Sequence, residues 1–412
     1  MSEAWIIDAV RTPRSAGKIG KGKLAHLHPH TLLSTTLKAL SERNSFNTAD
    51  VDDVIAGCGS QRATQGFCIG RMGALDAGWD INATGISVDR FCGSGLTSVN
   101  LAAMGIMSGM QDLAVGCGVE MMSLSKAMKD SPHLVDSNNV HLREKHPQPH
   151  QGICADVIAS MEGITRQDAD ELAVESQKRA ANAIENGYFD KSLVPVLNAD
   201  GSVALDQEDF PRPGTTLEGL SKLEPSFPGL YDYPLGAEGE KVTCRSLVEK
   251  VYPDLDVTHI HHAGNSSGVV DGAGAVLLAS PEYAKANGLK PRAKITAIAN
   301  GACEPELMLN APGPATLKAL KKAGMAMSDI ELIEINEAFA VVPIKFMRDL
   351  NVNADIVNVN GGAMALGHPI GATGSMILGT LLDEMERRDV TTGLATMCTG
   401  GGMAPALIIE RV

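Results

Sequence analysis

The chain has 412 residues, of which 44% are hydrophobic and 20% charged, with 43 glycines and few aromatic side chains. That is too long for one ordinary core and implies two or three folding units. The formal net charge of -14 excludes a general nucleic-acid binder, whose affinity rests on neutralising phosphates, but leaves room for a local basic patch that takes a small anion.

In chain order, AWIIDAV reads as a strand, and the basic stretch RTPRSAGKIGKGK (11–23) as a solvated loop after it. TLLSTTLKALSER has helical spacing and DVIAGCG reads as a strand. A helix follows Cys92, then the strand DLAVGCGVE. A polar middle segment carries one clear helix, TRQDADELAVESQKRAANAIENG, opened by Thr165 with Asp168 three residues later and closed by Gly187. Beyond it come AVLLAS, AKITAIANG, ATLKALKKAG, ELIEINE, SMILGTLLDEMERR, GLATMCTG and APALIIER. This alternation predicts helices packed on mostly parallel sheets.

The pattern repeats. ADVDDVIAG and SDIELIEIN are alike in type, as are the glycine turns opening helices around Gly95 and Gly374. Both pairs stand 279 residues apart, which points to a duplicated unit. The expected division is 1–126 as the first part of an N-terminal half, 127–257 as an inserted loop domain that contacts substrate, 258–285 as the end of that half, and 286–412 as the C-terminal half.

Two stretches, 361–382 and 391–409, are poor in charge. Their internal glycines and prolines break any continuous lipid-exposed helix, so they read as strand–turn–helix and strand–turn–strand, with no membrane span. The eight cysteines show no paired spacing and no C-x-x-C, which favours free thiols in a reducing compartment. With no secretory leader pattern at the start and no peroxisomal signal in the final ERV, a cytoplasmic location is expected.

Four glycine-rich junctions carry candidate chemistry. Cys92, in RFCGSG, lies at the start of a helix, where oriented N–H groups should lower a thiol from about 8.5 towards neutrality. His368, in GGAMALGHPIGATG, precedes another helix among five glycines and is suited to take a thiol proton. Cys398, in CTGGGMA, offers a second thiol at a strand-to-turn junction, and Asn336 and Glu337 end a strand in INEAFA. His259 and His261, in HIHH, share a strand face, but no further ligand lies at a supporting spacing, so no metal site is expected. Met121 and Met122 read as packing around the site.

In this order RFCGSG, NEAFA, GGAMALGHPIGATG and CTGGGMA, with VRTP near the start, resemble the thiolase family over nearly the whole chain. The resemblance implies a thiolase-like α/β fold, in which two duplicated units form a layered α-β-α-β-α core with a long inserted loop domain. It implies an acyltransferase that works on coenzyme A thioesters, with no permanently bound cofactor, and assembly as a homodimer or homotetramer. By the same resemblance, Cys92 is the acyl-carrying nucleophile and His368 activates it. Cys398 moves the α-carbon proton. Asn336 holds a water that completes one oxyanion site with His368, and the Cys92 and Gly400 N–H groups form the other. His150, Arg212, Ser267 and Gly268 match positions near coenzyme A.

Two departures stand out. Gly219 replaces a serine that bonds the cofactor in many relatives. The stretch 228–258 is much longer than usual and is expected to bear on chain-length preference. Two alternatives remain open. A decarboxylating ketoacyl synthase would want a second histidine where Asn336 stands, and a non-catalytic acyl or lipid carrier would need none of these residues.

Overall fold

The computed structural model describes residues 3–125, 134–235 and 241–412. Parts of the predicted insertion, 127–133 and 236–240, lie outside the described residues. The strands in chain order are β1 (Trp5–Arg11), β2 (Ser15–Ala16), β3 (Asp53–Gly57), β4 (Gly85–Val88), β5 (Leu113–Met121), β6 (Val196–Leu197), β7 (Val203–Leu205), β8 (Val270–Ala279), β9 (Ala293–Ala302), β10 (Leu332–Ile335), β11 (Thr392–Thr396) and β12 (Met403–Arg411).

The main sheet runs β10-β11-β12-β9-β1-β8-β5-β3-β4, with β2 on β8. It divides into two sets of the same order. In the first half β4-β3-β5-β8-β1 lie side by side. In the second half Val357 bridges Ile333 where β4 would stand, followed by β10-β11-β12-β9. Asp53 and Leu332, Ser94 and Thr373, Leu113 and Thr392 open equivalent elements, each pair 279 residues apart. A short pairing of Trp5 and Ile6 with Lys294 and Ala293 joins the halves.

The expectation of mostly parallel sheets is corrected. Among the described strands, β3–β4, β3–β5 and β10–β11 pair parallel, while β8 and β12 return antiparallel in each half. Alternation of strand and helix along the chain does not register these returns. They follow long excursions in one half and a tight glycine turn in the other.

The helices Ser94–Met107 and Thr373–Arg388 form the layer between the two half-sheets. Leu96, Val99, Ala103, Ile377, Leu378 and Leu381 share one apolar cluster with residues of β1, β8, β9 and β12. Small residues set the spacing. A Cβ on Gly374 would lie 1.9 Å from the Leu96 nitrogen, and one on Gly116 would lie 2.4 Å from the Val99 Cα. Two further clusters fill the outer faces of the halves, and both take in residues of the inserted segment.

The insertion between β5 and β8 contributes the helices Gln151–Glu162, Arg166–Glu185 and Cys244–Val251 and the small β6–β7 ribbon. Thr165 and Asp168 form a reciprocal capping box, as their spacing predicts. Thr243 and Ser246 form a second one at the helix Cys244–Val251.

Two further expectations are revised. The 361–382 stretch begins with the short helix Ala363–Leu366 rather than a strand. In the basic loop, Arg11 and Arg14 are buried, because both pair with the buried carboxylate of Glu208 from the insertion at 2.5 and 2.7 Å. The 391–409 stretch forms the β11–β12 hairpin. Among the described residues, no helix is long and apolar enough to cross a membrane.

Candidate active site

Four loops meet at the seam between the halves. The first is the turn before Ser94–Met107. Phe91 adopts φ 49°, a left-handed conformation rare for a bulky side chain. Its N–H donates to Asp89 Oδ1 at 2.7 Å. Ser94 Oγ donates to the Phe91 carbonyl at 2.6 Å and accepts from the Arg90 N–H at 2.8 Å. These bonds turn Cys92 out at the head of the helix, half-buried.

The second loop follows β11 and carries Cys398, which is buried. It packs directly on the first. A Cβ on Gly93 would lie 2.4 Å from Thr399 Cγ2, and one on Gly400 would lie 2.8 Å from the Phe91 ring. Cys92 is near enough to act electrostatically on Cys398. Burial first, then Cys92, holds the Cys398 thiol well above its ordinary range.

The third and fourth loops carry Asn336, just after β10, and His368. The Asn336 amide nitrogen lies 3.4 Å from His368 Nε2. His368 Nδ1 is 2.6 Å from Thr373 Oγ1, whose own proton goes to the Pro369 carbonyl at 3.0 Å. Thr373 therefore accepts from Nδ1–H, and this network leaves the lone pair on Nε2, facing Asn336. Asn336 Oδ1 is buried without a partner among the described residues. Burial, and then the nearby Arg14 charge, lower the imidazole to about 4.

The expected lowering of the Cys92 thiol is overturned. It is pushed up to about 12, first by burial and second by the negative charge of Glu120. Sequence displays the helix start but not the buried carboxylate behind it.

A cavity of about 220 Å³ opens onto Cys92 and Gly400, walled by Phe91, His150, Met308 and Ile370. His150 caps the helix Gln151–Glu162 by accepting from the Gly152 N–H at 3.1 Å, and its ring lies 5.7 Å from Phe227. Ser267 and Gly268 bind the other loops together. The Ser267 N–H donates to the Ala338 carbonyl, and the Gly268 carbonyl accepts from the His368 N–H, each at 2.9 Å. Arg212 is not part of this wall. Its side chain is exposed, and its guanidinium lies 6.0 Å from the ring of Phe210, which packs on Gly268. Gly219 is also exposed, and only Thr216 lies near the place of a Cβ, at 3.3 Å.

The long stretch after Pro228 packs behind the pocket. Cys244 accepts from the His150 N–H, and Leu247 and Val248 join the cluster around Ile153 and Cys154. In the HIHH run, His259 and His261 both bond Asp156 at 2.7 Å, and His262 bonds Asp170 at 2.8 Å. These histidines are thereby tied to two helices of the insertion. Among the described residues, no group of three or more possible ligands is placed to hold a metal.

Sequence reasoning missed Thr373, Arg14 and Glu120. The signal for Glu120 was present, since the uncharged run LAVGCGV leads straight into this acid. Glu337 was noted without a task. Its buried carboxylate accepts from Ser176 Oγ at 2.7 Å, Asn358 Nδ2 at 3.0 Å and the Met364 N–H at 3.1 Å, joining the insertion to the loop that leads to His368.

Comparison with known proteins agrees with this architecture. Residues 4–229 match the thiolase N-terminal domain and residues 289–411 the thiolase C-terminal domain. An acetyl-CoA acetyltransferase of Escherichia coli is 39% identical, with all of both chains covered. A 3-ketoacyl-CoA thiolase of Psychrobacter cryohalolentis is 38% identical over 99% of this chain and 97% of its own length. The crystal structure of the Bacillus anthracis acetyl-CoA acetyltransferase superimposes with a TM-score of 0.82 at 32% identity, covering 100% of this chain and 99% of that one. These proteins form one class, the acyltransferases. The chain belongs to the thiolase family.

Proposed function

We propose that the chain is an acyl-CoA:acetyl-CoA C-acyltransferase that works by a ping-pong route through a thioester on Cys92. In the cleavage direction, Cys92 Sγ attacks the 3-keto carbonyl while its proton passes to His368 Nε2. The carbon–carbon bond then breaks, and the departing enolate takes a proton from Cys398 to leave as acetyl-CoA. Incoming coenzyme A attacks the acyl group, giving its thiol proton to Cys398, and His368 returns its proton to Cys92. Condensation of two acetyl-CoA molecules is the same path reversed.

One observation carries this reading. The Cys92 turn, the Cys398 turn and the His368 loop come from distant parts of the chain and pack against each other beside one pocket. Asn336, with its unpartnered Oδ1, is suited to hold a water that completes an oxyanion site with His368, and the Cys92 and Gly400 N–H groups would serve the other. His150, Ser267 and Gly268 would line the path of the coenzyme A arm, with Arg212 at its anionic end. The insertion 127–257 would form the loop domain over that path, between a half made of 1–126 and 258–285 and a half made of 286–412. An asparagine at 336, where a decarboxylating synthase needs a second histidine, and the retained cysteines favour this reading over a synthase or a carrier. The assignment extends to fatty-acid β-oxidation, a cytoplasmic location and a homodimer or homotetramer.

The test is incubation with acetyl-CoA followed by peptide mass spectrometry. One acetyl group on Cys92 is expected, with release of free coenzyme A, and a Cys398→Ala variant should acetylate but not condense. An unmodified Cys92 under turnover conditions overturns the mechanism.

A further inference from the structure

Glu120, next to last in β5, is fully buried with no cation bonded to it among the described residues. Its Oε2 accepts from the Gly59 N–H at 2.8 Å and the Gly371 N–H at 2.9 Å. Its Oε1 accepts from Gln65 Nε2 at 3.3 Å, and the Ser60 side chain is a further partner. Gln65 cannot turn round to offer its oxygen, because that oxygen accepts from the Met121 N–H at 2.6 Å. The socket therefore presents fixed N–H donors to both carboxylate oxygens, which suits an ionised acid and mismatches an amide.

The two backbone donors come from opposite halves. Gly59 follows β3, and Gly371 follows His368 by three residues. Gly59 also sits against both pocket walls, since a Cβ there would lie 2.6 Å from Ile370 Cγ2 and 3.6 Å from the Phe91 carbonyl. The duplication sharpens the point. Thr399 stands 279 residues after Glu120, and Gly371 stands 279 after Cys92. Thr399 packs its methyl group beside the Cys92 turn, whereas Glu120 bonds the Gly371 turn. Only one of the two equivalent contacts carries a charge.

We infer that Glu120 is a positioning residue for acyl transfer, whose carboxylate fixes the gap between the Cys92 turn and the His368 loop by bonding both halves at once. This rests on the thiolase reading above. The Glu120 charge also acts on Cys92 directly, together with that of Asp89; both charges act on Cys58 as well, and Cys92 acts on Cys398. Removing it should ease ionisation of the nucleophile while spoiling its alignment. A purely structural strut would not produce that pair of effects.

The experiment compares Glu120→Gln and Glu120→Asp in the full chain. Glu120→Gln is expected to lower kcat for thiolysis by up to about 100-fold, the scale of a 1 Å misplacement of a reacting group, with KM nearly unchanged. The rate of iodoacetamide alkylation of Cys92 at about pH 8, read by peptide mass spectrometry, should rise about three-fold or more, since one like charge is gone. Glu120→Asp keeps the charge without the reach, so kcat should fall while the alkylation rate stays. A folded Glu120→Gln with the native kcat, or with the native alkylation rate, overturns the inference. If that variant fails to fold, Glu120→Asp decides alone. Lowered kcat at the native alkylation rate supports the inference, and the native kcat overturns it. Alkylation needs no substrate, so a native protein without thiolase activity would sink the proposed function while leaving this readout intact.

Discussion

With the Cys92 thiol pushed up to about 12 and the His368 imidazole held down at about 4, the resting pair is thiol and imidazole, not thiolate and imidazolium. A proton must then move as sulfur attacks, and the base must already present its lone pair on the correct nitrogen. Thr373 performs that selection by accepting from Nδ1–H while spending its own proton on Pro369. Thr373→Val keeps the shape of the side chain and removes the acceptor, so the competing tautomer gains population. Its kcat for thiolysis should fall by up to about 100-fold with KM nearly unchanged, and Thr373→Ser should restore most of the rate. Native kcat in the valine variant would remove the tautomer argument.

At the scale of elements, the two central helices hold the site because their glycines let backbones touch. The Gly374 position leaves no room for a methyl group, with the Leu96 nitrogen 1.9 Å and Cα 2.6 Å from the Cβ position. Backbone cannot yield as a side-chain tip can, so Gly374→Ala should cost about 3 kcal/mol or more. The matched control is Gly313→Ala, in the first turn of Pro312–Ala323, where nothing lies within 4 Å. It should be neutral or stabilising by about 0.5 kcal/mol. Urea denaturation measures both, and equal midpoints would refute the close-contact account. The same glycines explain what could be read from sequence. Their turns marked Cys92, His368 and Cys398, and the shared 279-residue offset exposed the duplication before any coordinates. Strand direction was illegible because it depends on where β8 and β12 return. The raised thiol of Cys92 was illegible because Glu120 is 28 positions away and meets the site only through tertiary packing. Arg11 and Arg14 looked solvated for the same reason, since their partner Glu208 belongs to the insertion.

For the molecule as a whole, each duplicated pair of positions carries its chemistry in only one of the two halves. Gly371 stands where the first half has Cys92, Val119 where the second has Cys398, and Gly57 where the second has Asn336. The paired halves thus make one site, and its first-half wall is continuous with the free edge of the sheet. β4 ends the strand order, with no further strand on its outer side among the described residues; there the Gly85 carbonyl accepts from Cys68 Sγ at 3.0 Å. Val88 packs into the central cluster, so Ile86, two residues earlier on the same face, lies towards the helix Ser94–Met107. Ile86 is 45% exposed, and Met104 on that helix is 52% exposed. Phe67, whose carbonyl accepts from Ser87 Oγ at 3.2 Å, is 92% exposed. An open strand edge flanked by large apolar side chains is a surface that proteins cover. A second copy related by a two-fold axis would pair β4 with β4 and bury all three side chains, which is the contact expected of the proposed homodimer. Light scattering on the native chain should then give a dimer or tetramer mass. Ile86→Lys, which places a charge on that edge, should shift the population to smaller species at micromolar concentration while the monomer keeps its far-UV circular dichroism. A native chain that runs as a monomer, or a lysine variant with the native mass, would rule out this edge as the contact.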